Sequence, residues 1–98
     1  MRIIFSELAK QEMDDAVAFY ELEFRGLGLR FKGEVKKAAL RIIEYPAAWS
    51  IERDEIRKCL LHKFPYKLLY SIEGDHIFVI AVAHLHRQPD YWVDRQKI

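Results

Sequence analysis

Cysteine is nearly absent from this 98-residue chain, where Cys59 stands alone. A single cysteine closes no internal disulfide, and no Cys/His spacing here suits a zinc site. Stability therefore rests on the packed core, and the expected compartment is a reducing cytoplasm. No apolar run reaches the roughly 18 residues that span a bilayer. The N-terminus opens on a strand-like stretch with no signal-peptide pattern, so no membrane partner is expected. An excess of one charge is missing too: 16 basic residues face 15 acidic ones, a net charge of +1. That balance excludes a chain that coats nucleic acid through overall charge, and leaves only a local patch for such contacts. No repeat, linker or low-complexity segment divides the sequence, so residues 1–98 read as a single domain. Familiar catalytic signatures are lacking as well. Glu44, Asp54 and Glu55 make no suggestive carboxylate pair, and neither Ser6 nor Ser50 sits in a nucleophile elbow.

What is present is strong periodicity. "RIIF" at 2–5 is β-branched and strand-like, and Ser6 follows as an N-cap with Glu7 in the first turn. Ala9, Met13, Ala16, Val17, Tyr20 and Phe24 then recur at helical spacing, predicting an amphipathic helix over 6–25. Gly26 and Gly28 permit a reversal. Phe31, Val35, Ala38 and Ile42 mark a second helix that Pro46 ends. Residues 50–62 suit two short strands or one bent strand. "YKLLYSI" at 66–72 is a strand, and "EGD" at 73–75 has tight-hairpin chemistry. "HIFVIAVAHLH" at 76–86 is apolar without alternation, which predicts a central strand buried on both faces. The tail from Arg87 onward, with Pro89 in it, suits a short helix or an extended arm. The expected fold is α+β, in the order β-α-α-β-β-β(-β). A helical hairpin packs on one face of a mostly antiparallel sheet, with the first strand at an edge or beside the last strand.

Candidate chemistry concentrates late in the chain. Arg57, Lys58, Lys63 and Lys67 form a basic stretch that suits either a phosphate patch on an open sheet face or an ordinary solvated surface. On a strand, His84 and His86 share one side and Leu85 opposes them. Such a pair can serve acid–base chemistry or simply finish a strand. It lacks a third ligand at a suggestive spacing, so no metal and no cofactor are expected. Tyr91 and Trp92 suit an exposed recognition surface beside Arg87, or a lid folded back on the core.

The ordered set of motifs resembles the RelE/ParE superfamily of toxins from bacterial type II toxin–antitoxin modules. "IIFSELAKQEMDDAVAFY" is similar to the family's opening strand and Ser-capped helix, and "YPAAW" to the end of its second helix. "EIRKCLLHKFPYKLLYSIEGDHIFVIAVAHLHRQPDYW" resembles its most distinctive block. The resemblance implies a small growth-inhibiting cytoplasmic toxin of the plasmid-stabilisation type. A cognate antitoxin would neutralise it by laying a segment over the helices and sheet. It also implies one of two targets. One branch cuts messenger RNA on the ribosome, using basic residues and a C-terminal tyrosine or histidine; Lys58, Lys67, His84, His86, Arg87 and Tyr91 would carry that role here. The other branch poisons DNA gyrase by binding. Arg57, Lys63, Tyr91 and Trp92 are the candidate binding contacts, with no target assigned to them. Leu60 and Leu85 stand where the nuclease branch often has a lysine and an arginine, and the "HLHRQPDYW" ending resembles the ParE side. The expectation is therefore a ParE-like gyrase poison. The alternatives are a ribosome-dependent endonuclease and an inactive homologue kept as a binding subunit.

Overall fold

The structure, a computed structural model, describes the backbone of residues 1–97 and the side chains of residues 1–95. Ile98, the last residue of the expected tail, lies outside the described residues. The elements are β1 (Arg2–Phe5), α1 (Glu7–Glu23), α2 (Leu27–Glu44), β2 (Ile51–Arg53), β3 (Ile56–Leu60), β4 (Tyr66–Glu73) and β5 (His76–His84), then a 3₁₀ turn at Val93–Lys97. The five strands lie in the order β1-β5-β4-β3-β2. β1 runs parallel to β5, and every other pairing is antiparallel. The expected α+β architecture is thus the one observed, and the first strand is both an edge strand and the neighbour of the last. The ambiguous 50–62 region resolves into two strands separated at Asp54, whose φ of 52° is one that aspartate tolerates.

Local chemistry explains where the helices begin and end. The Ser6 hydroxyl accepts the Ala9 N–H at 3.0 Å, capping α1. α1 stops short of Phe24, whose backbone is extended and whose ring is 69% exposed, so this residue leaves the apolar stripe the sequence predicted for it. Gly26 then takes φ 89°, a left-handed conformation that opens the turn. The Glu21 carboxylate accepts the Gly26 N–H at 2.9 Å and the Gly28 N–H at 3.1 Å, placing negative charge at the start of α2. Gly28 is there for space: a Cβ would stand 2.5 Å from the Val17 carbonyl oxygen, where the two helices cross.

The sheet buries both faces, by different means. Phe31, Val35, Ala38 and Ile42 of α2 pack with Ala9 and Ala16 of α1 onto Cys59, Leu68, Tyr70, Ile77, Val79 and Val82. On the far face, Ile56, Leu69, Ile80, Ala81 and Ala83 pack under Trp92. The pairing of β4 with β5 jumps from Tyr70↔Val79 to Leu69↔Ala81, so Ile80 is an extra residue. This bulge turns both Ile80 and Ala81 toward the far face. β5 shows no alternation because both of its faces are covered.

Arg57 and Tyr70 are register partners beneath the helices. The Arg57 guanidinium donates to the Trp49 carbonyl at 2.6 Å, and the Tyr70 hydroxyl donates to the Pro46 carbonyl at 2.5 Å. Burial pushes the Tyr70 hydroxyl from 10.0 up to about 12. Between those values the unfolded chain has released this proton and the native one holds it. Stability is therefore complete below about pH 10 and falls as pH rises toward about 12. Thermal melts across this range should show that loss, and Tyr70→Phe should flatten it. An alkaline limb unchanged in the phenylalanine variant would refute the assignment.

Candidate functional site

The site grows from an unfinished strand edge. β1 ends at Phe5, opposite Val79, so among the described residues the edge of β5 beyond that point has no strand to pair with. Side chains complete it. The Glu12 carboxylate, from α1, accepts the Val82 N–H at 3.0 Å. The Arg95 guanidinium donates to the Ile80 carbonyl at 2.9 Å. Glu12 and Arg95 also meet in a two-pronged ion pair, at 2.9 and 3.0 Å. The Tyr91 hydroxyl donates to Glu12 at 2.6 Å, and the Arg87 guanidinium stacks 4.0 Å over the Tyr91 ring. One carboxylate thus gathers Tyr91, Arg95 and the end of β5. The segment from Leu85 to Arg95 becomes a strap across the far face. Its other anchors are Trp92, which is 2% exposed, and an ion pair of 2.8 Å between Asp90 and Arg53.

The candidate residues fall into three places. Lys58 and Lys67 do share the far face, but both lie against one carboxylate oxygen of Glu52, at 3.6 and 3.0 Å. Arg57 points the other way, into the helix side, and Lys63 is exposed in the β3–β4 loop at φ 70°. The basic stretch therefore makes no single patch, because strand alternation and a loop separate its members.

The histidines differ from expectation in their cause. β5 ends at His84, so alternation does not reach His86, and Leu85 sits in a turn, 41% exposed. The two rings still meet, with centroids 5.2 Å apart, because the His86 N–H donates to His84 Nδ1 at 3.0 Å. That bond assigns the proton of neutral His84 to Nε2. His84 also stands edge-on to Tyr66, at 5.0 Å.

The aromatics take the second of their two expected places, folded back on the core. Trp92 is the far-face lid and not an exposed contact, because Ile56, Leu69, Ile80, Ala81 and Ala83 need cover. Burial first, and then the Glu12 carboxylate, hold the Tyr91 hydroxyl well above the ordinary tyrosine range. A hydroxyl so held is a poor general base. Sequence reasoning missed Glu12, Glu52 and Arg95. A signal existed for Glu12: it falls at i+3 from Ala9 and i−4 from Ala16, both buried, so it lies along the inward stripe of α1.

Among the described residues, no three His, Cys, Asp or Glu side chains gather as a metal site. Nor is any helix among them long and apolar enough to cross a membrane.

A helical hairpin on one sheet face, with a basic and aromatic strap on the other, gives the small α+β class that the toxin resemblance implies. A family model described as the ParE toxin of the type II toxin–antitoxin system, parDE, matches residues 3–89. The chain belongs to this family of toxins, whose modules pair a toxin with a cognate antitoxin. A solved structure described as the chromosomal ParDE TA system from P. aeruginosa is similar to it, with a TM-score of 0.77 at 11% identity. The similarity covers 88% of this chain and 97% of that one, and at such identity it speaks for the fold. No curated protein matches the chain significantly.

Proposed function

We propose that this toxin arrests growth in the cytoplasm by binding DNA gyrase, and that it does not cut messenger RNA. The supporting observation is that the two sheet-face lysines, Lys58 and Lys67, are both held by Glu52. A scissile phosphate there would have to compete with a carboxylate, and a nuclease needs those cations aimed at developing negative charge. The burial of Trp92 and the bonding of Tyr91 to Glu12 add to the reading, since they give the C-terminal strap a fixed shape suited to protein recognition.

The test is induction of the toxin in a host, scored for gyrase-dependent DNA damage and for transcript cleavage. A supercoiling assay with purified gyrase accompanies it. Lys58→Ala/Lys67→Ala should keep its toxicity, whereas a nuclease should lose on the order of 10²–10³ in rate on removal of such a group. Unaffected supercoiling at toxin excess would refute the gyrase reading.

A second reading, ribosome-dependent cleavage, is favoured by one observation. His84, His86 and Arg87 lie together at the open end of β5, with Tyr66 beside His84. New codon-linked cuts that vanish in His84→Ala or His86→Ala would establish it.

A further inference from the structure

Away from the strap, the loop between β3 and β4 meets the helical hairpin at an open cavity of about 560 Å³. Its walls include the rings of Tyr20 and Phe64, which stand edge-to-face with centroids 4.9 Å apart. Glu34 also lines it. The Glu34 residue is 6% exposed, Lys37 touches one of its carboxylate oxygens at 3.4 Å, and the other, Oε1, is buried with no hydrogen-bond partner among the described residues. Buried carboxylate oxygens are normally hydrogen-bonded, so this one is an acceptor awaiting a donor.

Gly33 is a second, independent anomaly on the same wall. Glycine is the poorest helix former after proline, yet Gly33 sits in the interior of α2. Unlike Gly28, it is not there to let elements of this chain approach, since a Cβ at Gly33 would meet nothing within 4 Å. Gly33 is also one of the residues that line the cavity. A glycine with open space before it suits the close approach of something outside the chain.

The rim fixes the charge of that visitor. Arg30, Lys37 and Lys63 line the cavity, and among the described residues Arg30 and Lys63 have no ion-pair partner. A cation entering here would be repelled by the rim. A phosphate in the cavity would meet the Glu34 carboxylate. The combination suits a neutral donor-tipped ring among the aromatics, with acidic residues beside it.

We propose that this cavity is an anchor site for an acidic segment of the antitoxin, inserting a tyrosine or tryptophan whose O–H or N–H bonds to Glu34 while its backbone passes close to Gly33. The proposal rests on the toxin–antitoxin reading of the chain and adds to it a location, a side-chain class and a charge.

Titration of the full-length toxin with its full-length cognate antitoxin tests this. Gly33→Ala should raise the melting temperature, because alanine suits a helix better, and yet weaken antitoxin binding. Gly33→Trp, which fills the cavity, should weaken binding by at least about tenfold. Arg30→Glu/Lys63→Glu should slow association and reduce its salt dependence. Both Gly33 variants should remain toxic when expressed alone. Full-affinity binding by Gly33→Ala, Gly33→Trp and the charge-reversed variant would overturn the proposal. So would the loss, in these variants, of binding to a labelled oligonucleotide with antitoxin affinity intact, because the cavity would then belong to a nucleic-acid surface. If the wild-type toxin does not bind the antitoxin at all, the underlying toxin–antitoxin reading falls, and the anchor site with it.

Discussion

Glu12→Ala should lower the free energy of unfolding by about 3–5 kcal/mol, the range found when one partner of a buried ion pair is removed. Glu12 and Arg95 are 15% and 16% exposed at their side chains, so neither is well solvated. The substitution leaves Arg95 without its carboxylate, Tyr91 without its acceptor and the Val82 N–H unpaired at the end of β5. A domain of this size has about 5–15 kcal/mol of total stability, so the loss is a large part of it. Glu12→Gln should cost less, about 1.5–3 kcal/mol, because an amide oxygen can still accept one of these bonds while the charge is gone. Chemical denaturation of the three proteins measures both differences. A change below about 1 kcal/mol for the alanine variant, typical of exposed ion pairs, would show that the strap is not held this way.

Trp92→Ala is expected to be equally severe, about 3–5 kcal/mol, because it empties a fully buried aromatic site. The loss has a second consequence. Trp92 covers Leu69, Ile80, Ala81 and Ala83, so its removal uncovers apolar sheet and frees the middle of the strap at once. Toxicity should fall with it, since His86, Arg87 and Tyr91 would no longer be presented in one geometry. Equilibrium unfolding and growth after induction are the two measurements. Tyr91→Phe separates the effects: it keeps the ring under Arg87 and deletes only the hydroxyl bond to Glu12, so its stability change should be nearer 1 kcal/mol. A Trp92→Ala protein as stable as wild type would mean that the far face is covered by something else.

Much of the fold was legible because its signals are local. Ser6, the Phe31–Val35–Ala38–Ile42 stripe, Gly26, Pro46 and the Gly74 turn each act within a few residues of chain, and each element formed where they place it. β5 was legible for a related reason: an apolar run without alternation has to be covered on both sides wherever it lies. Phe24 was misplaced because periodicity continues on paper past the point where the backbone turns extended, and Gly26 takes the chain away.

The candidate site was legible only in part. Alternation sets Lys58 opposite to Arg57 and Lys67 opposite to Tyr66 and Leu68, but that Lys58 and Lys67 share a face follows from the register of β3 with β4. That Glu52 holds both depends on the pairing of β2 with β3 and of β3 with β4. The meeting of Glu12 with Tyr91 and Arg95 joins residues 79 and 83 positions apart, and no periodicity reaches that far.

The sequence by itself determined the elements, their order, the two-sided burial of the last strand and the resemblance to a toxin family, because hydrophobic period, caps and turns are short-range physics. Only the tertiary structure decided which charges are spent on one another, that Trp92 is a lid, and that Glu34 and Gly33 line one cavity. Coulombic pairing, desolvation and empty volume depend on distance in space, and chain separation does not report that distance.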